Sequence, residues 1–347
     1  MKNKLVIGGR IIDDVHLPYV IAEAAISHQG EIRIAKRMVY VAHAMGCDAI
    51  KFQMHILHNE MLRDVETSSN FDEPLYETLD KTNLSIEEHK ELQALCNVLG
   101  IDYLCTPFSA KAADILDEMG VVAFKIGSGE LTNIPLLKHI SSKGRPMIVS
   151  TGMSEPYEIK ETVDEISKTG VQFALTHCIS AYPTPYNRVN LDNIPKYNLE
   201  YGVPVGLSDH SIGIYTSIGA VAVGACIIEK HFTLDKLQSG PDHAVSLEPY
   251  DLGELVKGCR AVFYARGSER RIFPEERPIV QWARESVVSE CLIKKGTVIT
   301  KEMVWVKRPS PVGNAIPAKD LNKVIGRTAI VDIKPNKQIL WNEITNE

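Results

Sequence analysis

Residues 205–231 decide the fold: Val205-Gly206-Leu207-Ser208-Asp209-His210, then an amphipathic stretch over Tyr215–Val223, then Ile227-Ile228-Glu229-Lys230-His231. A short apolar run, a helical pattern and a second apolar run of this size make a strand–helix–strand unit. Continuous apolar runs fit strands buried on both faces, as a parallel sheet requires. In this unit each strand closes on a histidine.

The same alternation extends outward in both directions. Further strand candidates are Val20–Glu23, Ala49–Gln53, Tyr103–Thr106, Ala123–Ile126, Met147–Ser150 and Phe173–His177, with the last two strands at Val205–Ser208 and Ile227–His231. Helical patterns lie between them at Arg33–Met45, Glu87–Leu99, Ala110–Glu118 and Pro156–Lys168, and a last one lies near Leu252–Tyr264. Eight strands, each followed by a helix, close most economically into a (β/α)8 TIM barrel. Leu5–Tyr19 reads as a hairpin around Asp13-Asp14, and Ile56–Asn83 as a long connection of the kind that serves as a lid or contact. The predicted barrel spans residues 1–266. Residues 267–285, charged and proline-bearing, read as a linker. Residues 286–347 carry short β-like runs at Ser286–Ser289, Val298–Ile299, Val304–Val306 and Ala329–Ile333, separated by turns. That predicts a small β-rich domain, too small to be very stable unless it packs on something.

The 347 residues carry a net charge of −6, which gives no electrostatic reason to expect nucleic acid or a membrane surface as partner. No run of about 18 apolar residues predicts a membrane span, and Met1–Arg10 lacks the apolar core of a signal peptide. Seven cysteines with no CxxC pair read as reduced thiols of a cytoplasmic protein.

Barrel active sites lie at the C-terminal ends of the strands. The residues closing the apolar runs are Glu23, Lys51 with Gln53, Thr106, Lys125 with Ser128, Ser150-Thr151-Gly152, His177, Ser208-Asp209-His210, and Glu229 with His231. All are polar, which a purely structural role would not select. Lys51 and Lys125 with Thr106, Ser128 and Ser150 would form a cationic, hydroxyl-lined site suited to a phosphate and a carboxylate. Glycines in Lys125-Ile126-Gly127-Ser128-Gly129 and Ser150-Thr151-Gly152 would let the backbone approach such an anion. A strand-end lysine is alternatively a Schiff-base nucleophile or a salt-bridge partner.

A single strand-end histidine is most often a satisfied core residue. His210 and His231 on successive strands instead suggest a divalent metal held by two neutral imidazoles, with positions open for substrate. His28, His55, His177 and Cys178 are candidate further ligands. Glu229, two residues before His231, would face the same side, and Asp242 in Gly240-Pro241-Asp242-His243 would reach the same site.

These motifs together resemble the sialic acid (N-acetylneuraminate) synthase family. The resemblance rests on Glu23…Ser27-His28-Gln29-Gly30, Lys51-Phe52-Gln53, Cys105-Thr106-Pro107-Phe108-Ser109, Phe124-Lys125-Ile126-Gly127-Ser128-Gly129-Glu130 and Ser150-Thr151-Gly152-Met153. It continues through His177-Cys178, Tyr182-Pro183-Thr184-Pro185, Gly206-Leu207-Ser208-Asp209-His210 and Glu229-Lys230-His231-Phe232-Thr233. Val304-Trp305-Val306 followed by Lys307-Arg308-Pro309 is similar to the antifreeze-like (SAF) domain that ends those enzymes.

The resemblance implies a metal-dependent transferase that condenses phosphoenolpyruvate with N-acetylmannosamine or a related amino-sugar aldehyde. The metal would be manganese, with magnesium or cobalt as alternatives, held by His210 and His231. Lys51, Thr106, Lys125, Ser128, Ser150, Ser180 and Ser208 match phosphoenolpyruvate contacts. Glu23, Gln53, Tyr182 and Asp242 match sugar-side positions, and Arg308 matches an arginine lent to the partner subunit in a domain-swapped homodimer. Glu23 and Glu229 are both candidate acid/base groups. The chain departs from the family pattern at Ala25, Ser27, Ser180 and the loop Ser310-Pro311-Val312-Gly313-Asn314, which bears on substrate choice. Alternative acceptors are a sugar 6-phosphate or the diacetamido hexoses that lead to legionaminic and pseudaminic acids; Gln53-Met54-His55-Ile56 with Glu60-Met61 leans towards the neuraminate type. Rival readings are a seven- or eight-carbon ulosonate phosphate synthase, a class I aldolase built on Lys125, and an ice-binding protein.

Overall fold

The computed structural model describes residues 4–65, 73–238 and 240–345, in two compact units, Met1–Gly267 and Ser268–Glu347. The chain enters through a hairpin of β1 (Leu5–Ile7) and β2 (Arg10–Ile12). Its turn is Gly8-Gly9, not the expected Asp13-Asp14. Both glycines have positive φ, 55° and 81°, and two successive left-handed residues match the twist of a tight hairpin. Asp13 instead accepts the Val15 and His16 N–H groups at 3.0 Å and turns the chain into the barrel.

Among the described residues eight parallel strands close a barrel. They are β3 (Tyr19–Glu23), β4 (Ala49–Met54), β5 (Asp102–Pro107), β6 (Phe124–Ile126), β7 (Met147–Ser150), β8 (Phe173–Cys178), β9 (Val205–Asp209) and β10 (Ile227–His231). Each pairs with the next, and β10 returns to β3. Every expected barrel strand is present, with its ends moved by no more than one residue. The expected helices form too, as Ile32–Ala44, Ile86–Leu99, Ala110–Met119, Pro156–Ser167, Tyr215–Ala222 and Pro249–Ala265. Two more, Ile134–Ser141 and Asn193–Tyr201, complete the outer ring. The connection after β4 carries the short helices Leu57–Glu60 and Leu75–Thr82; its residues 66–72 lie outside the described residues. No helix among the described residues is long and apolar enough to cross a membrane.

Period-two alternation sorts the strand residues into two environments. Phe52, Phe124, Ile126, Val149, Leu207 and Ile228 face outward and pack with the helices in the main core. Ile21, Ala49, Leu104, Ala123, Ile148, Ala174 and Ile227 face inward near the strand starts and pack with Leu5, Ile7 and Ile12 of the hairpin. The lower barrel is thus an apolar plug capped by the N-terminal hairpin. Polar residues begin directly above it.

The second unit stands on its own core of Val287, Ile293, Ile299, Val304, Ile316, Ala329, Ile333 and Ile339 among others. β11 (Ser286–Ser289) pairs antiparallel with β12 (Val304–Lys307). Val298–Ile299 and Ala329–Ile333, expected as strands, contribute only isolated bridges such as Val298↔Thr328 and Ile293↔Ile333. The stretch 267–285, expected as a linker, contains the helix Arg277–Ala283. That helix is tied into the unit by Ser310, which donates to the Gln281 and Val280 carbonyls at 3.1 and 2.8 Å.

Candidate active site

The floor of the site is a ring of buried charges. Glu23, Lys51, Lys125 and Glu229 are each no more than 5% exposed. Lys51 Nζ lies 2.8 Å from Glu23 Oε2 and 4.0 Å from Glu229 Oε2, and Lys125 Nζ lies 3.6 Å from Glu229 Oε1. Hydroxyls complete the ring. Lys51 donates to Thr106 Oγ1 at 3.0 Å, Lys125 donates to Ser150 Oγ at 2.6 Å, and Ser208 donates to Glu229 Oε1 at 2.9 Å. Burial lifts Glu23 to about 7 against the pull of Lys51, whereas Lys125 and Lys51 overcome burial at Glu229 and hold it below the usual carboxylate range. Two ammonium groups against one committed carboxylate leave the floor cationic near neutrality, which suits an anion.

A cradle of small polar groups stands beside this floor. Gly152 N–H donates to Ser128 Oγ at 3.1 Å, and Ser128 Oγ faces Cys178 Sγ at 3.5 Å. A Cβ on Gly152 would come within 2.3 Å of Ser180 Oγ and 2.6 Å of Ser128 Oγ. Only glycine lets both hydroxyls converge there.

His210 and His231 stand above, with ring centroids 5.3 Å apart. His210 Nδ1–H donates to the Ile179 carbonyl at 2.9 Å, so Nε2 is the ring nitrogen available to a ligand. His231 is buried, its Nδ1 has no hydrogen-bond partner, and burial holds it neutral. Burial opposes a proton on His210, but Cys178, the Ile179 carbonyl and Glu229 together raise its affinity for one, so a divalent metal would bind there in place of that proton; two imidazoles side by side suit such an ion. No cluster of three His, Cys, Asp or Glu groups placed to hold a metal occurs among the described residues. The other candidate ligands are accounted for. His177 points outward, where its Nε2 meets the Val189 carbonyl at 2.6 Å and its ring meets Tyr197. His28 packs on Phe52, and His55 binds Glu60 at 2.8 Å. Cys178 Sγ reaches His210 Nδ1 only at 3.8 Å.

The sugar-side candidates line the same mouth. The Tyr182 ring lies 4.1 Å from that of His210 and 5.7 Å from that of His231. Gln53 Nε2 donates to Glu23 Oε1 at 3.4 Å and its Oε1 meets His55 Nε2 at 3.2 Å. Asp242 is pushed up to about 6 by burial, with the His210 imidazole opposing. Arg308 belongs to the second unit, where its guanidinium lies 5.5 Å from the Trp282 ring centroid.

Sequence reasoning missed several members. Thr176 faces inward and bonds Ser150 at 2.8 Å. The Glu60–His55 pair, with His55 stacked 4.4 Å over Phe108, buttresses Gln53. Glu130 lies within electrostatic reach of Lys125 and Lys51, and burial lifts it to about 7. Its place in Gly-Ser-Gly-Glu, directly after a strand, was the available signal.

Comparison with known proteins places this geometry. The NeuB family profile matches residues 38–271, and the SAF domain profile matches residues 284–345. The chain is 36% identical over 338 residues to N,N'-diacetyllegionaminic acid synthase from Legionella pneumophila, covering 94% of each chain. It is 33% identical to the N-acetylneuraminate-9-phosphate synthase of Homo sapiens, covering 97% of this chain and 96% of that one. A crystal structure of N-acetylneuraminic acid (sialic acid) synthetase from Leptospira borgpetersenii superposes with a TM-score of 0.72 at 31% identity, over 81% of this chain and 96% of that chain.

Proposed function

The chain belongs to the NeuB family, and on that premise we propose that it condenses phosphoenolpyruvate with the open-chain aldehyde of a 2-acetamido sugar and water, giving a nonulosonic acid and phosphate. The observation that carries this reading is the stack of a two-lysine, hydroxyl-lined floor beneath a pair of adjacent imidazoles. The floor matches a doubly anionic substrate, and the pair matches an ion beside an aldehyde.

Lys51 and Lys125 hold the carboxylate and phosphate, with directed donors from Ser128, Ser150, Ser180, Ser208 and Thr106. That grip aims the methylene carbon at the aldehyde carbon, where the new carbon–carbon bond forms. Bound by His210 and His231, a divalent ion such as manganese would supply Lewis-acid polarisation of the aldehyde oxygen. Water then adds to the enol carbon, and the carbon–oxygen bond to phosphate breaks. The two ammonium groups stabilise the charge gathering on the departing phosphate. Glu23 is the group suited to carry a proton to the aldehyde oxygen, because it alone of the two floor carboxyls is raised towards neutral pH. Glu229 remains ionised and fixes both lysines. Tyr182, Gln53 and Asp242 are proposed to bind the sugar.

By the same reading Arg308 completes the site of a partner subunit in a domain-swapped homodimer. Lys51→Ala and Arg308→Ala proteins, each inactive, should recover activity when refolded together, since one barrel in each mixed dimer would be whole. The central test is phosphate release from phosphoenolpyruvate with His210→Ala and His231→Ala. Both should lose metal-dependent turnover with the fold intact, and full activity of either in chelator-treated buffer would overturn the metal assignment.

A further inference from the structure

A second cavity, of about 280 Å³, adjoins the sugar side of the site, walled by Ile26, Ser27, Thr78, Thr82, Asp242 and His243. Asp242 is the shared wall. Its carboxyl lies within electrostatic reach of Tyr182 and His210, and it also lines the cavity. A sugar whose aldehyde end sits at the two histidines would extend past Asp242 into this space.

The charge inventory of the cavity differs from that of the lysine floor. Its lining among the described residues includes no lysine or arginine. Lys81, next to Thr82, turns its ammonium to Glu73 at the surface. His243 is the remaining cationic candidate, and its bonds hold it neutral. Thr233 Oγ1 donates to the Asp235 carbonyl at 3.2 Å, so it accepts from His243 Nδ1–H at 2.7 Å. His243 Nε2 then accepts from Gln29 Nε2 at 3.3 Å. Burial lowers the affinity of His243 for a second proton as well. Among the described residues, the formal charge facing the cavity is therefore that of the Asp242 carboxyl. Ile26 and the threonine methyls make much of the wall apolar, and Ser27 Oγ is buried there without a hydrogen-bond partner. An unpaired buried hydroxyl has reason to bond an incoming amide or hydroxyl. A phosphate in the same place would be desolvated beside a carboxyl with no counter-charge.

Resting on the reading of this mouth as the acceptor site, we infer that the cavity receives the distal end of the acceptor sugar and selects an uncharged one, bearing an acetamido or methyl group rather than a phosphate. The acceptors of choice are accordingly neutral 2-acetamido or 2,4-diacetamido hexoses.

The experiment compares kcat/KM for phosphate release from phosphoenolpyruvate with a neutral 2-acetamido hexose, a neutral 2,4-diacetamido-6-deoxy hexose and a 2-acetamido hexose 6-phosphate. The better neutral acceptor should lead the phosphorylated sugar by about 100-fold or more, the scale set by leaving a polar group unpaired in a binding site. Thr78→Lys, on the helix Leu75–Thr82, would place an ammonium in the cavity. It should raise kcat/KM for the phosphorylated sugar at least about tenfold, through the KM of the acceptor and not that of phosphoenolpyruvate. Equal or better use of the 6-phosphate by the unmodified enzyme would overturn the inference and leave the condensation standing. So would unchanged selectivity in a Thr78→Lys protein that is folded by circular dichroism. Silence with all three acceptors would sink the condensation itself, and this inference with it.

Discussion

Glu23 and Glu229 reach for the same ammonium, Lys51, at 2.8 and 4.0 Å, yet they titrate in opposite directions. The cause is Lys125, which stands 3.6 Å from Glu229 and, with Ser208, secures that carboxylate. Glu23 has the weaker claim on positive charge and keeps its proton to about pH 7. Two chemically identical groups on neighbouring strands thereby become a fixed anion and a carboxyl that holds its proton towards neutrality.

That asymmetry sets a pH dependence of stability. A carboxyl whose proton is bound more tightly in the folded state stabilises fully below its unfolded value and loses that contribution as pH rises, here from the ordinary 4.5 towards about 7. Glu23→Gln cannot ionise and escapes this loss. In chelator-treated protein, urea titrations should show Glu23→Gln gaining on the parent by roughly 1–3 kcal/mol between pH 5 and pH 8. A difference that stays flat across that range would mean the Glu23 proton is not held above its ordinary value.

Gly152→Ala tests the cradle. The added Cβ would press on Ser180 Oγ and Ser128 Oγ, which are free ends of short side chains and can rotate away. The fold should survive with little change in Tm, while the displaced donors raise the KM for phosphoenolpyruvate by roughly tenfold. An unaltered KM would remove these hydroxyls from the anion site.

The same substitution at Gly206 should behave oppositely. There a Cβ would lie 2.4 Å from the Ile227 carbonyl oxygen and 2.5 Å from the Ile227 Cβ, inside the β9–β10 pair. Strand backbone cannot swing aside, so Gly206→Ala should cost roughly 1–3 kcal/mol or more by denaturant unfolding. A neutral result would show that the two strands can part without penalty.

Behind β10, the buried Lys230 ammonium pairs with Asp209 Oδ2 at 3.0 Å, and Ser217 and Thr216 also donate to that carboxylate at 2.6 and 2.7 Å. Lys230→Met strands a buried charge and should cost about 3–5 kcal/mol. Adding Asp209→Asn should restore part of the loss, measured in a double-mutant cycle. Additive losses would indicate that the pair is not coupled.

Much of this was legible in the sequence because a parallel barrel imposes two strong regularities. Its strands are continuous apolar runs, and its chemistry gathers where those runs end. Lys51, Lys125, Glu229 and His231 were found that way. The limit is the period of two: a single residue of uncertainty at a strand end exchanges inside for outside. His177 looked like a pocket residue because its run seemed to stop there. β8 continues to Cys178, so His177 faces the helices, and its neighbours Thr176 and Cys178 face the site. The Glu60–His55 buttress was hidden for another reason: its members come from a strand end and the helix after it, and nothing in their spacing marks them as partners. The hairpin turn was misplaced because two aspartates and two glycines both punctuate the chain, and only backbone handedness chooses between them.

The apolar hairpin plug beneath the charged floor turns the barrel into a tube with one open end. On the proposed reading, phosphoenolpyruvate at the lysines would have to arrive before a sugar at the histidines, and phosphate could not depart while the upper place is filled. Traffic through such a blind shaft would be last in, first out, and the proposed order of binding would rest on the N-terminal residues Leu5–Ile12 as much as on the groups proposed to perform the chemistry.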